Sequence, residues 1–363
     1  MKALLRRATL PMALGAMLTL AACSGQAAPA SSPPASAAAK PSAAAAPGSV
    51  PANSAPAQSA KPAVSGGQAS KAIKVGFSQF AVPFAPFYMA KETGIYAKNG
   101  LDVTLQQING PAAVPALLAD EVQLDGLGAN EVTRAVLAGA PVTSIATLGD
   151  VPVFVLMADK KFKSVEDLAG QTVGVTSVGS STDVSARLFL DHFKMLDKVK
   201  IVAAGGTTTT VYAALTNGVV QAAIMGHDQG ARAAKEGGFV QLVDGVKLGV
   251  PLNFSVIGVK RSYAKDNPEV VKSFLRAYQQ GWNYVADPAN KSTVVNTLAR
   301  YIQASPEVAE AGYTPWTAVW SAKKVPTIDP DGITNVLRFA DDPKARSAKP
   351  EEFIDESFLK SIQ

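Results

Sequence analysis

A chain of 363 residues, 47% hydrophobic and 17% charged, can bury a large core, and its length suggests two domains. The formal charge of +5 is misleading, because residues before Ile73 hold six basic side chains and no acid, which leaves 28 basic against 29 acidic groups in the rest. A body so close to neutral lacks the electrostatic footprint of a nucleic-acid binder. Two histidines and one cysteine exclude a metal cluster of useful spacing, so no metal and no cofactor is expected.

The chain opens with Arg6-Arg7, an apolar run from Ala8 to Ala22, and Leu20-Ala21-Ala22-Cys23. This is a basic region, an apolar region and a small-residue cleavage site, too short for a spanning helix of ~20 apolar residues. Residues 1–22 read as a lipoprotein signal peptide whose end resembles a bacterial lipobox, with Cys23 as the lipid-bearing first residue of the mature protein. Residues 23–71 are rich in Ala, Pro and Ser and cannot bury enough surface to offset their ordering entropy. They read as a disordered, semi-extended tether that holds the body outside the cytoplasm, anchored to a membrane by lipid.

From Ile73 the hydrophobic pattern alternates between two periods. "IKVGFS" reads as a strand, and "PFAPFYMAKETGIYAKNG" as a helix entered through prolines and closed by Asn99-Gly100. A strand at "LDVTLQQI", a short helix from Pro111 to Leu118, a strand from Val122 to Leu127, a helix from Glu131 to Leu137 and a strand at "PVTSIATL" follow. Val153 to Met157 reads as a further strand, and Ser164 to Gly170 as a helical turn that Ser164 can cap. A second cycle then runs as strand "QTVGVTS", helix Ser180 to Phe193, strand "VKIVAA", helix Thr207 to Thr216, strand "AAIM", helix His227 to Glu236 and strand "FVQLV". "NFSVIGVK" reads as an extended crossing. The chain ends in helices at Pro268 to Ala286, Lys291 to Gln303, Ile333 to Phe339 and Pro350 to Ile362.

Alternating strands and helices argue for α/β architecture with parallel sheets. Two similar units, one embedded in the other, predict two lobes: 73–157 plus 250–363 as the first, 158–249 as the second. Val153 to Met157 and Phe254 to Val259 would join them as a hinge. Ligands of open α/β sheets sit beyond the carboxyl ends of the strands, so the cleft between the lobes is the expected site.

The phrases "VGFSQFAVPFAPFYMAKETGIYAKNGLDVTL", "PALLADEVQLDGLGANEVTRAVLAGAPV", "KSVEDLAGQTVGVTSVGSSTDVSARLFL" and "AALTNGVVQAAIM" resemble the solute-binding proteins of ABC importers. The closest group binds nitrate, sulfonates, taurine and thiamine-pyrimidine precursors. The resemblance implies a type II periplasmic binding protein fold, a small-molecule solute held between the lobes, ABC permease subunits as partners, and a monomer. It favours a small organic anion of sulfonate, nitrate or taurine type, with a pyrimidine or aromatic acid as the alternative, and an enzyme on the same fold as a further one. Gln123 and Gln221 stand where the group commonly has Asp, at positions read as structural.

The loops beyond the strands supply the candidate contacts: Ser78, Gln79, Phe80, Asn109, Gly128, Asn130 and Asp150 from the first lobe, and Gly179, Ser180, Ser181, Thr182, Thr207 and His227 from the second. Several open a helix, whose free N–H groups suit an anion. Gly179 permits close backbone approach, with three hydroxyls behind it; the same residues also suit a simple helix cap. Enzyme readings lack support. There is no G-x-S-x-G elbow, no phosphate loop and no G-x-G-x-x-G. Fungal pyrimidine synthases of related fold use a cysteine-rich motif, and the single cysteine here is Cys23.

Overall fold

The computed structural model describes residues 70–108 and 110–363; the signal peptide, Cys23, the tether and Asn109 lie outside them. Among the described residues, ten strands form two five-stranded sheets. The first sheet holds β1 (Lys71–Phe77), β2 (Leu101–Gln107), β3 (Leu124–Gly128), β4 (Val142–Gly149) and, in its interior, the late strand β10 (Ser255–Lys260), in the order β2-β1-β3-β10-β4. The second holds β5 (Phe154–Asp159), β6 (Thr172–Val175), β7 (Lys200–Ala203), β8 (Ala222–Gly226) and β9 (Phe239–Asp244), in the order β7-β6-β8-β5-β9.

The sheets are not wholly parallel. β10 runs antiparallel to β3 and β4, and β5 antiparallel to β8 and β9. The cause is topological. Each of these strands begins where the chain has just crossed from the other sheet, so it enters at the end where the parallel strands finish. Val153 to Met157 is therefore mostly β5, and Phe254 to Val259 mostly β10. The crossings themselves are the short segments 150–153 and 249–254.

Local chemistry accounts for most element ends. The helix expected after β1 is divided into a short turn at Val82–Phe84 and helices at Ala85–Glu92 and Ile95–Lys98. Thr93 and Gly94 interrupt it, and Gly94 has φ +70°, a conformation that favours glycine. Ser164 does not cap the turn after it. The Asp167 carboxylate instead accepts from the Lys163 and Ser164 N–H groups. A helix at Pro306–Ala322 was not expected from the sequence, because Gly312 and Pro315 lie inside it. Its start is nonetheless well signalled, with Pro306 in the first turn and Ser305 accepting from Val308 N.

The C-terminal helices close the first lobe. Helix Pro268–Ala286 lies against helix Ala85–Glu92 through Phe87, Phe274 and Tyr278, with ring centroids 5.4–6.3 Å apart. Gly281 lets the backbones meet, since a Cβ there would lie 2.4 Å from the Pro86 carbonyl. Trp282 donates to the Trp320 carbonyl at 2.9 Å, which seats helix Pro306–Ala322 beside the site.

Candidate functional site

Each lobe builds the same turn. β3 and β8 end on glycines that open helices Ala129–Leu137 and His227–Lys235. A Cβ on Gly128 would lie 2.5 Å from Asn130 Oδ1, and one on Gly226 would lie 2.5 Å from Asp228 Oδ1. Asn130 and Asp228 thus occupy matching places, each folded back over its own glycine. Gln123 and Gln221 match as well. Gln123 Oε1 accepts from Lys74 N at 2.8 Å and Gln221 Oε1 from Thr172 N at 3.3 Å, with the partners 49 residues apart in both lobes. These amides tie strands together and stand away from the cleft.

The lobes meet in two places. In one, Asn130 Nδ2 donates to the Gly179 carbonyl at 2.6 Å and Ser181 Oγ donates to Asn130 Oδ1 at 2.9 Å. Nearby, Arg338 grips Asp191 with both terminal nitrogens, at 2.9 and 3.0 Å. In the other place the lobes enclose a cleft of about 160 Å³. Gln79 to Pro83 form its first-lobe wall. Thr208, Thr209 and Gly226 to Gln229 form the second-lobe wall, with Gly312 and Trp316 contributed by the C-terminal helix. Phe80, Phe154, Phe254 and Trp316 give it aromatic surface; Phe154 and Phe254 meet edge to face at 4.8 Å.

The polar side chains of this cleft include two acceptors, the Asp228 carboxyl and Gln229 Oε1, beside Gln79 and Thr209, which can also donate. Burial pushes the Asp228 carboxyl up from its usual range, opposed by the N–H groups of Gln229 and Asp228 and by His227. Its carboxylate therefore occupies the helix start that an anion would otherwise use. Helix Thr208–Thr216 is closed similarly: Thr207 Oγ1 accepts from Thr210 N at 3.2 Å. Thr208 Oγ1 accepts from Gln229 Nε2 at 3.0 Å, while Gln229 Oε1 is buried with no hydrogen-bond partner. No lysine or arginine is among the residues lining the cleft. His227 is held at both nitrogens, Nδ1 at 3.1 Å from the Val153 carbonyl and Nε2 at 3.1 Å from Asp244 Oδ1. Burial raises the Asp244 carboxyl, but the His227 hydrogen bond and charge, and then Lys247, hold it below its usual range.

Of the residues expected from sequence, Gln79, Phe80 and His227 line the cleft. Phe80 is 47% exposed at its mouth, packed edge-on against Phe77 at 5.0 Å. Ser78 follows β1 without lining the cleft, and Asn109 lies outside the described residues. Gly128, Asn130, Gly179 and Ser181 belong to the contact between the lobes. Ser180 and Thr182 turn inward: Ser180 Oγ accepts from Asp183 N and donates to the Ser177 carbonyl, and Thr182 Oγ1 accepts from Thr176 N at 2.9 Å. Asp150 is ion-paired with Lys323. Thr207 caps its helix and does not line the cleft. Sequence reasoning missed Ile302, Gly312 and Trp316, for which no local signal exists, whereas Asp228 stands in the Gly226-His227-Asp228 loop that the strand pattern already points to.

The family described as NMT1/THI5 like matches residues 82–291. The chain belongs to this family. A relative, 4-amino-5-hydroxymethyl-2-methylpyrimidine phosphate synthase THI13 of Saccharomyces cerevisiae, is 25% identical over 241 residues, covering 61% of this chain and 68% of the relative. Among solved structures, the periplasmic aliphatic sulphonate binding protein SsuA of Escherichia coli superposes with a TM-score of 0.58 at 20% identity, over 67% of this chain and 82% of that one. The periplasmic nitrate-binding protein NrtA of Synechocystis PCC 6803 gives 0.63 at 12% identity, over 81% and 88%. These likenesses, with the two sheet orders, establish the two-lobed periplasmic binding protein fold for this NMT1/THI5-like chain.

Proposed function

We propose that this protein is the extracytoplasmic solute-binding component of an ABC importer, and that its solute is a flat nitrogen heterocycle bearing amino groups, of the aminopyrimidine kind. The observation that carries this reading is a cleft that pairs aromatic walls with buried acceptors, Asp228 and Gln229 Oε1, and has no cationic side chain in its lining. A sulfonate or nitrate, the solute favoured from sequence, would meet the Asp228 carboxylate and two helix starts already capped. An amino group instead finds the acceptors it needs, and leaving the buried Gln229 Oε1 unpaired costs about 1–3 kcal/mol. The volume suits one ring and is small against the ~300–1,000 Å³ of most small-molecule pockets. The name of the yeast relative supports a pyrimidine on this framework.

Binding would shift the lobes toward closure, with Gln79 and Phe80 on one side and Asp228 and Gln229 on the other engaging the solute together. No bond is made or broken. A permease partner, a monomeric state and an anchor at Cys23 belong to the same proposal. The second reading, an anion, rests on the sulfonate- and nitrate-binding neighbours and on the hydroxyl of Thr209 and amide of Gln79 at the cleft.

Titration calorimetry decides between them. 4-Amino-5-hydroxymethyl-2-methylpyrimidine should bind with one-site stoichiometry, and Asp228→Asn should weaken it at least tenfold. Taurine, alkanesulfonates and nitrate should give no heat. Tight binding of any of these anions, undisturbed by Asp228→Asn, would sink the aminopyrimidine assignment. Turnover of the pyrimidine by the isolated protein would sink the transport reading.

A further inference from the structure

A second cavity, of about 440 Å³, is lined by both partners of the Asn130–Gly179 bridge and shares no residue with the cleft. Its floor is apolar: Leu137 from helix Ala129–Leu137, Val184 from helix Ser181–His192, and Val336 and Phe339 from the end of helix Pro330–Arg338. Both lobes therefore contribute to it. Arg134 stands at its edge, with Nη1 3.4 Å from where a Gly179 Cβ would sit. No ion pair among the described residues includes Arg134, and its guanidinium shares the opening with Asp341 and Asp342. Asp342 is already used, accepting from Lys344 N at 2.9 Å.

We propose that this cavity is a second small-molecule site, for a monoanionic amphiphile whose carboxylate or sulfonate meets Arg134 and whose apolar body covers Leu137, Val184, Val336 and Phe339. A guanidinium fork holds such a group in two-point contact, and a volume of this size falls within the usual range of ligand pockets, ~300–1,000 Å³. The flanking carboxylates select against a second negative charge. An occupant touches Gly179 and Val184 of one lobe and Arg134 and Val336 of the other, so it ties the lobes together and favours the closed arrangement. The cleft and this cavity would then assist one another, by equal factors in both directions.

Octanoate is a suitable probe, with octanol as its uncharged counterpart, titrated into the intact chain by calorimetry. Octanoate should bind one to one, at least tenfold more tightly than octanol. Arg134→Gln should remove that preference, and Ala340→Trp, at a half-buried position of the lining, should fill the cavity and abolish binding while the thermal midpoint stays within a few degrees. Saturating 4-amino-5-hydroxymethyl-2-methylpyrimidine, the proposed occupant of the separate cleft, should not displace octanoate. The proposal is overturned by absence of saturable octanoate binding, by equal affinity for octanoate in Arg134→Gln, or by competitive displacement of octanoate by the pyrimidine, which would place the probe in the cleft.

Discussion

Asp125 offers a pH test that can be worked through from its surroundings. It sits on β3, fully buried, with neither carboxyl oxygen hydrogen-bonded. A Cβ on Gly76 would lie 2.2 Å from Asp125 Oδ2, so the glycine leaves the space that the carboxyl fills. Burial, and then the nearby charge of Glu131, push its pKa from 3.8 to about 8. The folded chain therefore keeps a proton that the unfolded chain releases. That stability is fully present below pH 3.8 and is lost as pH rises to about 8. At pH 7 the gap of about three units corresponds to roughly 4 kcal/mol of lost stability. Asp125→Asn keeps the shape and removes the titration, at a desolvation penalty of about 1–3 kcal/mol for its buried amide. The variant should thus be less stable than the parent near pH 4 and more stable by pH 8. Urea unfolding followed by tryptophan fluorescence across that range reads the difference. A stability difference that does not change with pH would refute the argument.

Four further outcomes follow from single contacts. Asn130→Ala removes both hydrogen bonds between the turns, so the closed arrangement should lose roughly 1 kcal/mol per bond, visible as a wider separation of spin labels placed one on each lobe. Ser180→Ala should lower stability by about 1 kcal/mol through loss of its helix cap while solute affinity measured by calorimetry stays unchanged. Gly281→Ala forces a methyl against the Pro86 carbonyl and should lower stability by about 1–3 kcal/mol, read as a drop in thermal midpoint. Cys23→Ala should release the protein from the membrane fraction of its host, and retention there would defeat the anchor.

Periodicity made most of the alternating framework legible, because β1 and β6 and the helices beginning at Ser181 and Thr208 carry their own patterns and caps. Val153 to Met157 was legible as a strand, but the antiparallel pairing of β5 and β10 was not. Their partners depend on where the chain returns, and no local pattern records that. The hydroxyl-rich turn after β6 showed the same limit. Its composition matched both a donor platform and a cap, and Asp183, Ser177 and Thr176 decided for Ser180 and Thr182 by engaging them internally. Ser181 was claimed by Asn130 of the other lobe. The cleft wall at Trp316 depends on a helix more than two hundred residues from Gln79, held there by Trp282.

The place of β10 also bears on how the chain is made. Residues 154–244 contain every strand of the second sheet without interruption. The first sheet lacks its inner member until Lys260 has emerged, and β3 and β4 have no direct pairing with one another. The later lobe can therefore finish folding first, while the earlier one waits with two strand edges open, a state prone to wrong pairing. A chain halted before Ser255 would leave β4 stranded, and refolding should show one slow phase belonging to the lobe that began the chain.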